Sequence, residues 1–183
     1  MAMVYDLNSS YSSEHEAFVS ESRKTLAGAA RRIEHAIEQS SDEDLWWRPH
    51  PAMNAIGNLV LHVCGNLGQW VLSGVGTAPE RRNRPAEFAA RDPIAKADLL
   101  AQFRQTVAAV DAVIAAVPAL GPGSLLDRRR IQSYDTTVLA AIYHAISHLE
   151  GHAQEMIYIA RLRRGDAYRF LWTPKANQLG SGV

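Results

Sequence analysis

From Phe18 to Ile37 apolar residues return every three or four positions, at Phe18, Leu26, Ala29, Ile33, Ala36 and Ile37, the period of an amphipathic helix. Ser13, with Glu16 three residues on, has the spacing of a capping box and predicts a first helix over 14–39. Two prolines and an acidic run make "SSDEDLWWRPHPAMN" a loop, with Trp46 and Trp47 capping the core. Asn54 reads as the N-cap of a second helix, marked by Ile56, Leu59, Val60, Val63, Leu67, Trp70 and Val71 and ended by "SGVGTAP". "PERRNRPAEFAARDP" lacks a helical period and predicts a long connection. Asp92 and Pro93 read as N-cap and first residue of a third helix, carried by Leu99, Phe103, Val107, Val110 and Ile114 to Pro118. Beyond the loop "PALGPGSLLDRRRIQSYD", Asp135 or Thr136 opens a last helix running to "RRGD", about 40 Å long at 1.5 Å per residue.

Four long amphipathic helices, with no strand pattern of any length and no fixed repeat, predict an all-α four-helix bundle with long connections. At 183 residues one domain over 1–183 is expected, with a flexible N-terminus over about 1–12, a flexible tail over about 174–183 and the aromatics of "AYRFLW" packed. The hydrophobic share, 47%, excludes a disordered chain. Nineteen basic and 19 acidic residues cancel, leaving no global field for nucleic acid or an anionic membrane, so neither is an expected partner. A single cysteine and a polar opening without a leader or spanning run make the cytoplasm the expected location. Cys64 has no partner thiol, so any metal here falls to imidazole and oxygen.

The last helix carries the candidate chemistry. Its apolar stripe is Val138, Ala141, Ile142, Ala145, Leu149, Met156, Ile159 and Ala160, and the two stripe positions where leucine or isoleucine is due hold His148 and His152. His144 falls one step to the side and is not expected to be a ligand. Two buried imidazoles cost about 1–3 kcal/mol each unless satisfied, which leaves mutual hydrogen bonding and a divalent metal as the two solutions. His62 lies on a polar stripe with Asn58, Asn66 and Gln69 beside the apolar face of the second helix, as if lining a cavity. Two imidazoles from one helix and one from a facing helix leave coordination positions open, the arrangement of a catalytic zinc, and nickel or iron(II) also suit it. Cys64 is expected to pack elsewhere as a buried thiol. Glu150 and Glu155, the arginines 128–130, and Arg81, Arg82 and Arg84 read first as solvated surface, with Glu150 and Glu155 as candidate partners of the ligands and the arginines near the bundle mouth as the other option.

Three stretches, "NAIGNLVLHVCGNLGQW", "RPAEFAARDP" and "TTVLAAIYHAISHLEGHAQEMIYIARL", resemble the DinB/YfiT-like metal-binding four-helix bundles, in particular a branch labelled as a domain of unknown function. The resemblance implies a metal held by one histidine of the second helix and two at (i, i+4) of the later one, matching His62, His148 and His152. The later motif of the family often continues as Arg-Gly-Gln, whereas here "HAQE" starts at His152. Some relatives are S-transferases or isomerases using low-molecular-weight thiols, others look like metal-dependent hydrolases, and related bundles often pair as dimers. The leading expectation is therefore a metal-dependent enzyme, with Zn2+ first among divalent ions, activating a small-molecule thiol ahead of water. A homodimer is expected. The competing class is a non-catalytic metal-binding or dimeric binding protein, which a closed site with a fourth protein ligand would favour.

Overall fold

The computed structural model describes residues 10–91 and 93–172. Helix α1, Glu14–Gln39, begins and ends where the pattern predicts. Ser13 Oγ accepts from the Glu16 N–H at 3.1 Å, but the Glu16 carboxylate turns to the Ser12 N–H at 2.8 Å, so only half of the predicted box forms on Ser13. Inside the predicted loop a single turn, α2 (Asp42–Trp46), is closed by a reciprocal box between Ser41 and Asp44. Trp46 is buried and its Nε1–H donates to Ile94 O at 3.2 Å.

Helix α3, Ile56–Leu67, runs on into a π turn over Gly68–Ser73. Asn54 is not its cap. Ala55 takes that place, and Asn58 Oδ1 reaches back to accept from the Ala55 N–H at 3.3 Å. The long connection also holds a short helix, α4 (Arg84–Ala89), which Asn83 caps by accepting from the Ala86 N–H at 3.2 Å.

Helix α5 spans Lys96–Ala116. The cap expected at Asp92 lies outside the described residues, as do the expectations for 1–9 and 173–183. Pro93 stands ahead of the helix instead of at its first position. The stretch Lys96–Leu120 is long and apolar enough to cross a membrane by length and composition. In this fold its inner face, Leu99, Phe103, Val110 and Ile114, is fully buried.

A small hairpin replaces part of the last predicted loop. Strands β1 (Arg128–Ile131) and β2 (Tyr134–Thr137) pair antiparallel with Arg128 opposite Thr137 and Ile131 opposite Tyr134. Asp135 and Thr136, the expected start of the last helix, therefore belong to β2. Thr137 instead caps α6, Val138–Arg164, its Oγ1 accepting from the Ala140 N–H at 3.2 Å. Four residues per strand are too few for alternation to register against a helical background. Of the expected tail aromatics Tyr168 is buried, while Phe170 and Trp172 are exposed.

The four long helices form an all-α bundle. Helix α1 packs on α5 and α6, and α3 packs on the same two, so α1 faces α3 across one diagonal and α5 faces α6 across the other. Leu26, Ile33 and Ile37 of α1, Leu59 of α3, Phe103 and Ile114 of α5, and Ile142 and Leu149 of α6 fill the centre. One polar residue on α3 holds the connection down. Asn58, with no exposed surface, donates to the carbonyls of Glu87 at 2.9 Å and Ala90 at 3.1 Å and accepts from Arg48.

Replacing Asn58 by Ala takes the amide donor from the Glu87 carbonyl, while the Ala90 carbonyl keeps Arg48 and Arg91 as donors, so Asn58→Ala is expected to cost about 1–3 kcal/mol. Urea unfolding measures it, and a loss under about 1 kcal/mol would show that the connection is anchored elsewhere.

Candidate metal centre

Helix α3 presents His62, and α6 presents His148 and His152 one turn apart. The two helices pack directly, and one ligand-capable atom from each ring lies within 4.8 Å of the other two. His62 Nε2 is 3.2 Å from His148 Nε2. The His152 ring stands 4.5 Å from that of His148 and 5.0 Å from that of His62, edge-on to His62 at 86°. Among the described residues no fourth histidine, cysteine or carboxylate joins this group. The group could hold a metal ion.

Each of two imidazoles is oriented by a carboxylate. His62 Nδ1 lies 2.9 Å from Glu87 Oε2, and His152 Nδ1 lies 2.8 Å from Glu155 Oε2. A carboxylate on Nδ1 fixes the proton there and leaves Nε2 as the free lone pair, the usual second partner of a metal-bound histidine. Glu155 therefore contacts the triad, while Glu150 turns away to Arg32.

Glu87 is the residue the sequence pattern missed, because it sits in a segment without period. Its side chain is 9% exposed and that of Arg82 6%. Arg82 Nε donates to Glu87 Oε1 at 2.8 Å and its Nη2 donates to Oε2 at 3.0 Å. Arg82 Nη2 is also 3.1 Å from His62 Nδ1; with a proton on each of those nitrogens, the carboxylate is their shared acceptor. Arg82 Nη1 completes the set by donating to Gln69 Oε1 at 3.0 Å. One sequence signal could have found this cluster. Gly65, three residues after His62 on the same face, would as alanine put its Cβ 2.0 Å from Glu87 Oε1, so the glycine is where the carboxylate enters.

His62 and His148 of the triad open on a cleft of about 620 Å³. His62, Asn66 and Trp70 line it from α3 and the π turn, His144 and His148 from α6, and Gln132, Tyr134, Asp135 and Thr136 from the hairpin. Trp70 stacks on His144 with ring centroids 4.0 Å apart, which occupies His144 outside the three-histidine group. The hairpin reaches the rim because Gly74 leaves room for Ile131, whose Cδ1 would lie 2.3 Å from an added Cβ. Gln132, at the hairpin turn, has φ 55°, a left-handed conformation that costs a non-glycine residue about 1 kcal/mol. Its side chain donates to Gln69, tying the turn to the same amide that Arg82 holds.

A family profile described as "Protein of unknown function (DUF1572)" matches residues 13–177. The chain belongs to this family. The matched span of DUF1572 contains all of α1 to α6 and every residue of the triad. The crystal structure of a conserved protein from Enterococcus faecalis is similar, with TM-score 0.66 over 80% of this chain and 97% of that one, at 18% identity. That likeness shows the fold. No curated protein matches the sequence.

Electrostatics in this DUF1572 chain favour the neutral ring at His62 and His148. Burial pushes His148 down to about 4, helped by the neighbouring rings of His152 and His62. Burial also lowers His62, against the pull of Glu87. Burial raises Glu87, but the hydrogen bonds from Arg82 and His62 outweigh it and leave the carboxyl below its ordinary range. Cys64 is buried away from the triad as expected, and burial pushes its thiol up to about 12.

In the metal-free protein the unfolded chain takes up a proton at position 148 near pH 6.5, whereas the folded chain does so only near 4. The unfolded state thus binds more protons in that window, and stability falls as pH drops from about 7 to about 4, by on the order of 1–2 kcal/mol after solvent screening. Denaturant titrations across this range should show the fall in wild type and a flatter profile in His148→Asn. Equal slopes would show that His148 does not carry the effect.

Proposed function

We propose that His62, His148 and His152 hold one divalent transition metal, Zn2+ first and Ni2+ or Fe2+ next, and that the protein is a metal-dependent enzyme of the DinB-like type. The observation that carries this reading is the convergence of three imidazoles on one point, two of which, His62 and His148, line an open cleft. Two nitrogens bound tetrahedrally at about 2.0–2.1 Å lie roughly 3.3 Å apart, and His62 and His148 present theirs at 3.2 Å. That pair by itself would suit a hydrogen bond. The third ring and the carboxylates on two Nδ1 atoms favour the metal.

Bound there, the ion supplies Lewis acidity that lowers the pKa of a small nucleophile toward neutrality. The chain's own residues do the rest. Glu87 and Glu155 keep Nδ1 protonated and the rings aimed, while the Arg82 pair keeps Glu87 ionised. The carboxylate lining the cleft is Asp135, and it is held by Arg130 at 3.0 Å. Glu87 lines a separate cavity on the far side of Arg82. Among the described residues no unpaired carboxylate lines the cleft to take a proton from water, so a low-molecular-weight thiol is the nucleophile favoured over water.

Protein purified without a tag should carry one divalent ion per chain, measured by mass spectrometry, and His62→Ala, His148→Ala and His152→Ala should each abolish it. Full occupancy in the triple variant refutes the site. Titration of the cobalt-substituted protein with thiols should give a sulfur-to-metal charge-transfer band. Its absence with every thiol, together with ester or amide hydrolysis lost in His152→Ala, turns the reading to a hydrolase.

Glu87→Gln, which keeps the shape and removes the charge, should weaken zinc binding about 10–100-fold in competition with a chromophoric chelator. Unchanged affinity would reduce Glu87 to an anchor for the connection.

A further inference from the structure

We propose that the cleft takes a small carboxylate carrying an amide N–H and a flat apolar group, with Arg84 as the residue that binds the carboxylate. The inference rests on the metal reading for the cleft's chemistry, but its own evidence is the rest of the lining.

Of the three arginines in the connection, Arg84 is the one with its charge available to the cleft. Arg82 is spent on Glu87, and Arg81 lines the separate cavity. Arg84 lines the cleft and has no acidic partner among the described residues. Its guanidinium lies over the Phe88 ring at 5.1 Å, and Phe88 in turn stacks on His62 with ring centroids 4.7 Å apart. The cation is thereby held at two short ring steps from the triad with its edge donors free, the geometry for a bidentate carboxylate. Asp135, the acidic residue of the rim, pairs with Arg130 at 3.0 Å, so among the described lining residues Arg84 is the cation without an acidic partner.

A second observation comes from Asn66. It is 3% exposed, lines the cleft, and its Oδ1 is buried with no hydrogen-bond partner. A buried acceptor in that state is satisfied by a donor that a ligand brings. The third is the wall formed by Trp70, stacked with His144 at 4.0 Å and facing Tyr134 at 6.3 Å, which offers a flat apolar surface beside the polar groups. Carboxylate, N–H donor and flat group together describe an N-acylated amino acid or a molecule built like one. An anionic sugar phosphate would leave the aromatic wall unused, and a neutral aromatic would leave Arg84 unused.

The test uses N-acetyl-L-phenylalanine, its neutral amide N-acetyl-L-phenylalaninamide, and O-acetyl-L-phenyllactate, in which an ester oxygen replaces the N–H. Binding is read from tryptophan fluorescence within seconds of mixing, on wild type, Arg84→Ala, Arg84→Lys and Asn66→Ala. Zinc content is measured on the same samples and folding is checked by circular dichroism. The expected result is saturable binding of the acid, weakened roughly tenfold or more by Arg84→Ala and less by Arg84→Lys, with the neutral amide indifferent to both. Wild type should also prefer the N–H compound over the ester several-fold, and Asn66→Ala should erase that preference. Equal binding of acid and amide by wild type, an Arg84→Ala variant that binds the acid as well as wild type does, or no saturable binding to zinc-loaded protein overturns the proposal. A failure of the metal reading looks different: protein without zinc that keeps the Arg84-dependent preference loses the metal and retains the carboxylate site.

Discussion

Glu87 is a carboxylate buried between two nitrogens of Arg82 and a ring nitrogen of His62, and the placement of the rest of the cleft follows from where that group can go. A charge at this depth is tolerated only if its partners are fixed, because removing one from a buried pair costs about 3–5 kcal/mol. The fold supplies fixity from several directions. Asn58 clamps the carbonyls of Glu87 and Ala90, Gly65 leaves the opening through which the carboxylate reaches His62, and Gln69 takes the remaining Arg82 nitrogen. The polar stripe of α3 is thus a receiving face for the connection.

The same pair divides space. On one side lies a cavity lined by Cys64 and Glu87, and on the other the cleft lined by His62 and His148 of the triad. Because the Glu87 carboxylate looks into the first, it acts on the cleft through His62 and not as a proton acceptor within it. The cleft keeps three imidazoles, one free guanidinium and an aromatic wall. Their neutral or positive character suits a divalent ion less than a carboxylate cage would, but it leaves such an ion strongly Lewis-acidic and makes an anionic substrate the natural complement.

The π turn and the hairpin complete the rim by local irregularity. The turn over Gly68–Ser73 places Gln69 inward and Trp70 toward α6. The hairpin sits close because Gly74 has no side chain to meet Ile131, and Gln132 accepts a left-handed backbone while its amide reaches Gln69. Irregular elements of this kind concentrate at functional sites, where the surrounding packing holds them in place.

The long helices and the three histidines were legible in the chain because both are periodic signals. Burial of one face forces apolar residues to recur every three to four positions, so His148 and His152 stand out as exceptions on that stripe, and His62 stands out beside Asn58 and Asn66. What the helices do to one another is absent from any local pattern. The diagonal arrangement, the hairpin, the inward turn of Arg82 and the contact of Glu155 with His152 depend on which surfaces meet after folding. Glu87 shows the limit most clearly. In the sequence it is one acidic residue in an arginine-rich connection, and only the packing of that connection on α3, through Asn58 and the space at Gly65, brings it 25 positions back along the chain to His62.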